Sequence, residues 1–374
     1  VPVLDPTLLE DVSEGIDILT TPIFEPSRLF RKISGKSGSE RLGADGGDKK
    51  QDLLSRISLW IRGNFFIPDA RVRWVKPSVK FLSKWLGENH VDAIITTGPP
   101  HSIHLIGLGL KKKNPKLKWV ADFRDPWSDM DYLDDFKMGK KARKKMAKME
   151  GEVTSSADRL IVTSRSAEEK LVEGKNKICL LIPNGWDAAD FPKSIPSKKD
   201  SEIMRFGHFG SLHGSRNAIG LWKAFAALKG KGQKFELTFA GSFSPEIRRH
   251  LIDLGLDDNC VFYGNLGHRE SIEKMLLCDA LLLIHNDSDS ATRSTPGKLF
   301  EYIAASKPII SICRQKGDLA TILEEFGLPH AQHNDEAGAL EMLLQYENQE
   351  AVDPAPYTRM KQAEKLLEVI RSTQ

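Results

Sequence analysis

The sequence predicts an α/β protein made of two Rossmann-like domains facing each other across a cleft, and three observations lead there. At 374 residues the chain exceeds what one hydrophobic core usually organises. Short apolar runs of strand length alternate with helical segments, the pattern of parallel sheets covered on both faces. The alternation stops at one polar, proline-punctuated stretch and then begins again.

The first domain is expected over residues 1–190. Strands are predicted at 16–21, 91–96, 117–122, 160–163 and 178–182, each apolar on both faces as a buried parallel strand should be. Between them, residues 137–155 place Met138, Ala142, Met146, Met149 and Val153 on one helical face. Ser166 with Glu169 reads as a capping box for the next helix. The chain opens on Val1-Pro2-Val3 with no strand and glycine-rich turn, so the first strand of this domain is expected to be missing. Residues 34–50, rich in glycine, serine and charge, read as a mobile loop.

Residues 192–202, with Lys198, Lys199, Asp200 and Ser201, read as the interdomain linker. The second domain, 203–350, follows at once. Its strands are predicted at 204–209, 235–240, 261–263, 280–284 and 308–312, and Ser244-Pro245 supplies a cap and a first-turn proline for one of its helices. Residues 357–374 form a terminal helix placed to return to the N-terminal domain. Open α/β sheets bind ligands beyond the carboxyl ends of their strands, which puts the expected site in the cleft.

Composition narrows the function classes. The formal charge of +3 makes no global demand for a nucleic acid partner. No apolar run approaches the roughly 20 residues that span a bilayer, and no signal sequence opens the chain, so a cytoplasmic location is expected. Cys179, Cys260, Cys278 and Cys313 lack paired short spacings and lie mostly in apolar stretches, which predicts reduced, buried thiols rather than a metal cluster. No glycine-any-glycine fingerprint follows a strand, against a nicotinamide dehydrogenase.

The strongest local signal is Ser294-Thr295-Pro296-Gly297-Lys298-Leu299-Phe300-Glu301-Tyr302. Thr295 can cap a helix and Pro296 can take its first position, while Gly297 lets an anion approach the backbone amides of a helix start. Lys298 adds a full charge, and Glu301 lies one turn deeper on the same face. Two readings fit that spacing. Lys298 and Glu301 either clamp a diphosphate and its ribose or form a surface ion pair.

The run from Pro296 to Pro308 closely resembles the donor-binding segment of GT-B glycosyltransferases, particularly the retaining family 4 type that builds bacterial cell-surface polysaccharides and glycolipids. The resemblance implies that Pro296, Gly297, Lys298 and Leu299 hold a donor diphosphate and that Glu301 holds the ribose. Phe209-Gly210-Ser211-Leu212 with Arg216 looks like the family's phosphate loop, which makes Gly210, Ser211 and Arg216 donor-binding. Ser211 stands where the family commonly has an arginine, so the diphosphate would lean on Arg216. Arg293 replaces a family glutamate eight residues before Glu301, and Asp287 or Asp289 could substitute for it. Gly264-Asn265-Leu266 resembles the segment that cups the nucleobase, and Pro183-Asn184-Gly185 the turn near the domain junction.

In the first domain, Thr97-Gly98-Pro99-Pro100-His101 follows a predicted strand, and His101 resembles the family's active-site histidine beside the donor sugar. His104 is expected to pack or to face solvent. Arg124, Asp125 and Trp127 end the next strand. They form either a structural ion-pair cluster or an acceptor site in which Asp125 orients a hydroxyl and Trp127 stacks on a sugar. Lys137, Lys140, Lys141, Arg143, Lys144, Lys145 and Lys148 crowd one segment, and Trp60, Phe65, Phe66 and Trp74 another with Arg62, Arg71 and Arg73. Basic faces beside exposed aromatics suit peripheral membrane contact at the inner leaflet.

The resemblance therefore implies transfer of a sugar from a UDP- or GDP-linked donor to a glycan or lipid-linked hydroxyl. Anomeric configuration would be retained, and no metal or other cofactor is expected. His101, Asp125, Arg216 and Lys298 are the expected catalytic residues. A sugar-nucleotide epimerase and a non-catalytic sugar-nucleotide-binding protein are the alternatives on the same fold.

Overall fold

A computed structural model describes residues 15–23, 53–125, 127–128, 133, 136–173, 177–192 and 203–372. The expected mobile loop at 34–50, Pro126 and nearly all of the expected linker lie outside them. The chain divides into two compact units, one reaching Ile182 and taking up Glu364–Gln374, the other spanning Pro183–Ala363.

The first unit carries helices α1 (Leu53–Phe65), α2 (Val75–Glu88), α3 (Ser102–Lys113), α4 (Lys140–Ser156) and α5 (Arg165–Val172). Its strands β1 (Ile94–Gly98), β2 (Trp119–Phe123), β3 (Arg159–Val162) and β4 (Cys179–Leu181) form a parallel sheet in sequence order. Every residue of β2 is buried, as a central strand covered on both faces requires. Trp119, Phe123, Trp127, Met146, Val153 and Leu160 fill the core between the sheet and α4. The apolar face predicted for α4 is the buried one, through Ala142, Met146 and Val153.

The predicted strand at 16–21 is absent. Residues 16–23 are irregular, with Ile16, Ile18 and Leu19 exposed, and among the described residues no strand pairs with this run to complete its backbone hydrogen bonds. The predicted capping box is also displaced. α5 begins at Arg165 and its cap is Ser164, whose hydroxyl accepts the Ala167 amide, so Ser166 already lies inside the helix.

The second unit carries α6 (Ile219–Gly230), α7 (Pro245–Asp253), α8 (His268–Leu276), α9 (Lys298–Ala304), α10 (Asp318–Glu325) and α11 (Glu336–Gln345). Its strands are β5 (Met204–Phe209), β6 (Phe235–Ala240), β7 (Cys260–Gly264), β8 (Ala280–Ile284), β9 (Ile309–Ile312) and β10 (His330–Ala331). They form a parallel sheet in the order β10-β9-β8-β5-β6-β7. The chain winds outward from β5 through β7, then returns to lay β8 on the other side of β5. The carboxyl ends of β5 and β8 are thus the topological switch point, where open sheets of this type leave a crevice. Ser244 caps α7 with Pro245 in its first turn, as predicted. The last helix, α12 (Arg359–Arg371), packs Leu366, Val369 and Ile370 against Val120 and Ile161 of the first unit's sheet.

All four cysteines are free. Burial pushes each thiol up to about 12, which leaves almost no thiolate near neutral pH. No helix among the described residues is long and apolar enough to cross a membrane.

Candidate functional site

The switch point of the second unit gathers side chains from β5, β8, α9 and the loops that follow them. Tyr302 explains how α9 is held there. Its fully buried phenol oxygen accepts the Phe209 amide hydrogen at 3.0 Å, which fastens the helix to the end of β5. One turn earlier, Lys298 then reaches back over the strand end. Its Nζ lies 3.5 Å from His208 Nε2, and a methyl carbon at position 210 would come within 2.6 Å of it. Gly210 also has φ +130°, a backbone conformation that side-chain-bearing residues rarely adopt.

Arg216 approaches the same point from the loop after β5. Its Nε donates to Asn286 Oδ1 at 2.6 Å and its Nη1 to the Ser211 carbonyl at 2.8 Å. Asn286 follows β8, so the two strands on either side of the switch point jointly fix the guanidinium. Two cations thus converge, and their neighbourhood shows in the lysine. Burial first, then the charge of Arg216, pulls the Lys298 ammonium down to about 7, with Glu301 acting the other way. His285, at the end of β8, is held to about 4 by burial and by Arg216, His333 and Lys298.

Glu301 does not answer Lys298 as a surface pair. The Lys298 ammonium hydrogen-bonds His208, while Glu301 lies 4.0 Å from His268, which itself meets Asp190 at 3.0 Å. Burial raises the Glu301 carboxyl, and His268 and Arg359 oppose that rise. Its carboxylate is half-buried one helical turn from the cations.

The helix start differs from its sequence reading. Thr295 caps nothing and Pro296 precedes the helix; Gly297 occupies the cap position with α-helical dihedrals and no side-chain cap, and α9 begins at Lys298. The amides of Leu299 and Phe300 are already closed onto the carbonyls of Pro296 and Gly297. The Leu299 side chain is fully buried in the core, so any contribution of Leu299 to an anion site is restricted to backbone. Gly297 itself is exposed, and a methyl carbon added there would lie 3.6 Å from the Asn184 amide nitrogen, an ordinary contact. Gly185 beside it has no room for a side chain, since an added carbon would meet the Tyr357 carbonyl oxygen at 2.5 Å. The Pro183-Asn184-Gly185 turn is therefore packed as an architectural element.

A row of glycines lines the strand ends. The Gly210 amide donates to Ala240 and the Gly241 amide to Gly264, and a methyl carbon at Gly241 would strike the Gly210 carbonyl. Gly241 and Gly264 have φ of +124° and +67°. Ser211 accepts from the Ser242 hydroxyl across the same floor, and Leu266 packs its side chain on the core. Asp287 and Asp289, which could have replaced the missing glutamate, are both ion-paired with Arg314.

In the first unit the structure corrects two readings. Trp127 is 1% exposed, its indole donating to Met146 sulfur, and its ring stacks at 5.2 Å on His101, which is 3% exposed. Neither ring offers a face to a sugar here, because the aromatic stack they form with His104 and Phe123 is part of the core. His104 packs: the Trp119 indole donates to the Thr96 hydroxyl, which stands 2.9 Å from His104 Nδ1. Asp125 is half-buried, with burial raising its carboxyl and Arg124 opposing that, while Arg124 is exposed. Asp122 is buried beside Thr97.

Sequence reasoning missed His208, His285, Asn286, Gly241, His268 and Asp190. The only local signal was a histidine within an otherwise apolar strand end, at 208 and again just after β8 at 285. No group of three or more His, Cys, Asp or Glu side chains able to hold a metal occurs among the described residues.

No family model matches the chain. A curated relative, the probable glycosyltransferase WbjE of Pseudomonas aeruginosa, is 25% identical over 191 residues, covering 47% of this chain and 46% of that protein; the match therefore spans about half the length of that relative. Among solved structures, sucrose-phosphate synthase from Thermosynechococcus elongatus superposes with a TM-score of 0.59 at 15% identity, covering 80% of this chain and 78% of that one. The Anabaena protein HepE, solved in complex with UDP and glucose, gives 0.58 at 14% identity over 79% of this chain and 81% of that one. The chain has the α/β fold of the GT-B glycosyltransferases.

Proposed function

We propose that this protein is a glycosyltransferase that moves a sugar from a nucleoside diphosphate donor, UDP- or GDP-linked, to a hydroxyl of a glycan or lipid-linked acceptor. The observation that carries the reading is the convergence of Lys298 and Arg216 at the β5–β8 switch point, over a strand end that Gly210 keeps bare. The name of the curated relative supports transfer as the activity.

The chemistry follows from charge. Cleaving the bond between the sugar and the diphosphate leaves negative charge on the departing oxygen. Fixed cations stabilise that charge at no cost of reorganisation during the reaction. Arg216, locked by Asn286 and Ser211, supplies a permanent charge, and Lys298 an adjustable one. Glu301, one turn along α9, accepts the ribose hydroxyls, and the Gly264–Leu266 segment borders the base. Asp125 orients the acceptor hydroxyl. Retention of configuration and independence from a metal cofactor are carried over from the family resemblance.

Lys298→Ala should lower turnover on the order of 100-fold and weaken UDP or GDP binding measured by calorimetry. Unchanged affinity and turnover would remove the assignment. An epimerase would grip a diphosphate the same way, so assays with the donor alone decide between the two: a changed sugar still attached to its nucleotide, formed without acceptor, would favour epimerisation.

An acceptor at a lipid surface is supported by α1, which exposes Ile57, Trp60, Ile61 and Phe65 at helical spacing, Phe65 by 66%. Asn64 ties the end of α1 to the start of α4 through the Gly139 amide, and α4 presents exposed Lys140, Lys141, Arg143, Lys144, Lys145 and Lys148. An apolar stripe beside a cationic helix suits an anionic bilayer and supports a location at the inner face of the membrane. The protein should sediment with vesicles containing phosphatidylglycerol, but not with phosphatidylcholine alone, and Trp60→Ser with Phe65→Ser should abolish it. Failure to bind either vesicle would refute membrane docking.

A further inference from the structure

The Lys298 ammonium has an unusual partner. A buried lysine is ordinarily satisfied by a carboxylate, which cancels its charge. Here the partner is His208, 1% exposed in β5, and its ring geometry leaves one reading of its protonation. Nδ1 lies 2.8 Å from the Leu282 carbonyl, an atom that can only accept, so Nδ1 must carry the hydrogen. The opposite tautomer would press a nitrogen lone pair against that oxygen. With burial and the flanking cations holding the imidazole neutral, Nε2 is left as an acceptor, and Lys298 Nζ stands 3.5 Å from it. The Ser211 carbonyl, which accepts from Arg216, also lies beside the ring and favours its charged form, but burial, Lys298 and Arg216 outweigh it.

We propose that His208 is a positioning residue for Lys298, a neutral acceptor that parks the ammonium over Gly210 and leaves its charge uncancelled for the diphosphate. The proposal rests on the donor-site reading above. An imidazole here does what a carboxylate could not. It satisfies one ammonium hydrogen and fixes the head by way of the β8 backbone, yet contributes no negative charge to compete with the ligand.

The charged and titratable groups around this pair are Arg216 from the loop after β5, Glu301 from α9 and His285 just after β8. Arg216 disfavours a second positive charge, Glu301 favours it, and His285 is neutral near pH 7. Lys298 is therefore partly deprotonated near neutral pH when no anion is bound. Removing its acceptor should shift its titration further down by about one unit, the value of a lost hydrogen bond to a charged group.

Two measurements test this, one of them without ligand. Competitive labelling with acetic anhydride, read by mass spectrometry at Lys298, should show a reactivity midpoint near 7 in the wild type. His208→Leu should move it about one unit lower, and His208→Gln, whose amide oxygen can accept, should leave it in place. An unmoved midpoint in His208→Leu overturns the proposal whether or not any nucleotide binds. The second measurement is UDP affinity by calorimetry at pH 5.5 and pH 8. The terminal phosphate titrates in this range too, so each variant is compared with wild type at the same pH. His208→Leu should bind about tenfold more weakly than wild type at pH 8 and nearly equally at pH 5.5, since only the protonated fraction of the lysine differs. The same loss at both pH values would mean a merely structural role and would also overturn it. A shifted labelling midpoint in a protein that binds no nucleoside diphosphate would sink the donor-site reading and leave the His208–Lys298 pair standing.

Discussion

At the residue scale, the proposed donor site depends on an absence as much as on its charges. Gly210 is required twice, by its φ of +130° and by the Lys298 amine that occupies the space of a side chain. Gly210→Ala should therefore act in two ways. Forcing an alanine into that backbone region costs about 1–3 kcal/mol, read as a fall in the melting temperature. Displacement of the Lys298 head should weaken UDP binding beyond what the stability loss explains, since the protein remains folded at 25 °C. A variant that melts early but binds UDP as the wild type does would separate the glycine from the site. Trp127 teaches the converse lesson. An aromatic ring next to Arg124 and Asp125 in the sequence looked like a sugar platform, but local sequence does not say which way a ring turns. This one turned onto His101 and the Met146 sulfur, in the core.

At the element scale, the strands of the second unit were the most legible part of the molecule. The runs at 204–209, 235–240 and 280–284 match β5, β6 and β8 residue for residue, because continuous apolar stretches between polar turns have one way to be buried in a parallel sheet. The two-residue β10 left no pattern to read. Helix starts were less legible. Ser164 and Ser166 are both competent caps by composition, and only the backbone conformation at 164 selects the former. Thr295-Pro296 had the composition of a start two residues before the real one. The site itself divided along the same line. Gly210, Arg216, Lys298 and Glu301 sit in local motifs and could be found in the sequence. His208, Asn286 and His285 become neighbours of Lys298 only when β8 returns to the side of β5, a fact of strand order that no local window contains.

At the scale of the whole molecule, both units bury neutral histidines, and this couples the fold to acid. Burial and His101 hold His104 down to about 3, and His285 is held to about 4. A histidine whose folded value lies below its unfolded 6.5 costs nothing above that pH. As the pH falls below it, the unfolded chain takes up protons that the fold refuses, and stability is lost. At pH 5 each of these two groups should remove about 2 kcal/mol, from a total that in domains is commonly about 5–15 kcal/mol. Asp122, Asp125 and Glu301 act in the opposite sense. Their raised carboxyls contribute stability at low pH that is lost as the pH rises through their folded values, so the net acid profile of the wild type mixes both signs. A single substitution isolates one contribution. His104→Gln keeps an acceptor for the Thr96 hydroxyl and never titrates, so it should lower stability at pH 7.5 through lost stacking on Phe123. Its further loss between pH 7.5 and pH 5, from urea midpoints, should be smaller than the wild type's by about 2 kcal/mol. An equal loss in both proteins would mean that the His104 ring accepts a proton within the fold, and that burial and His101 do not hold it neutral.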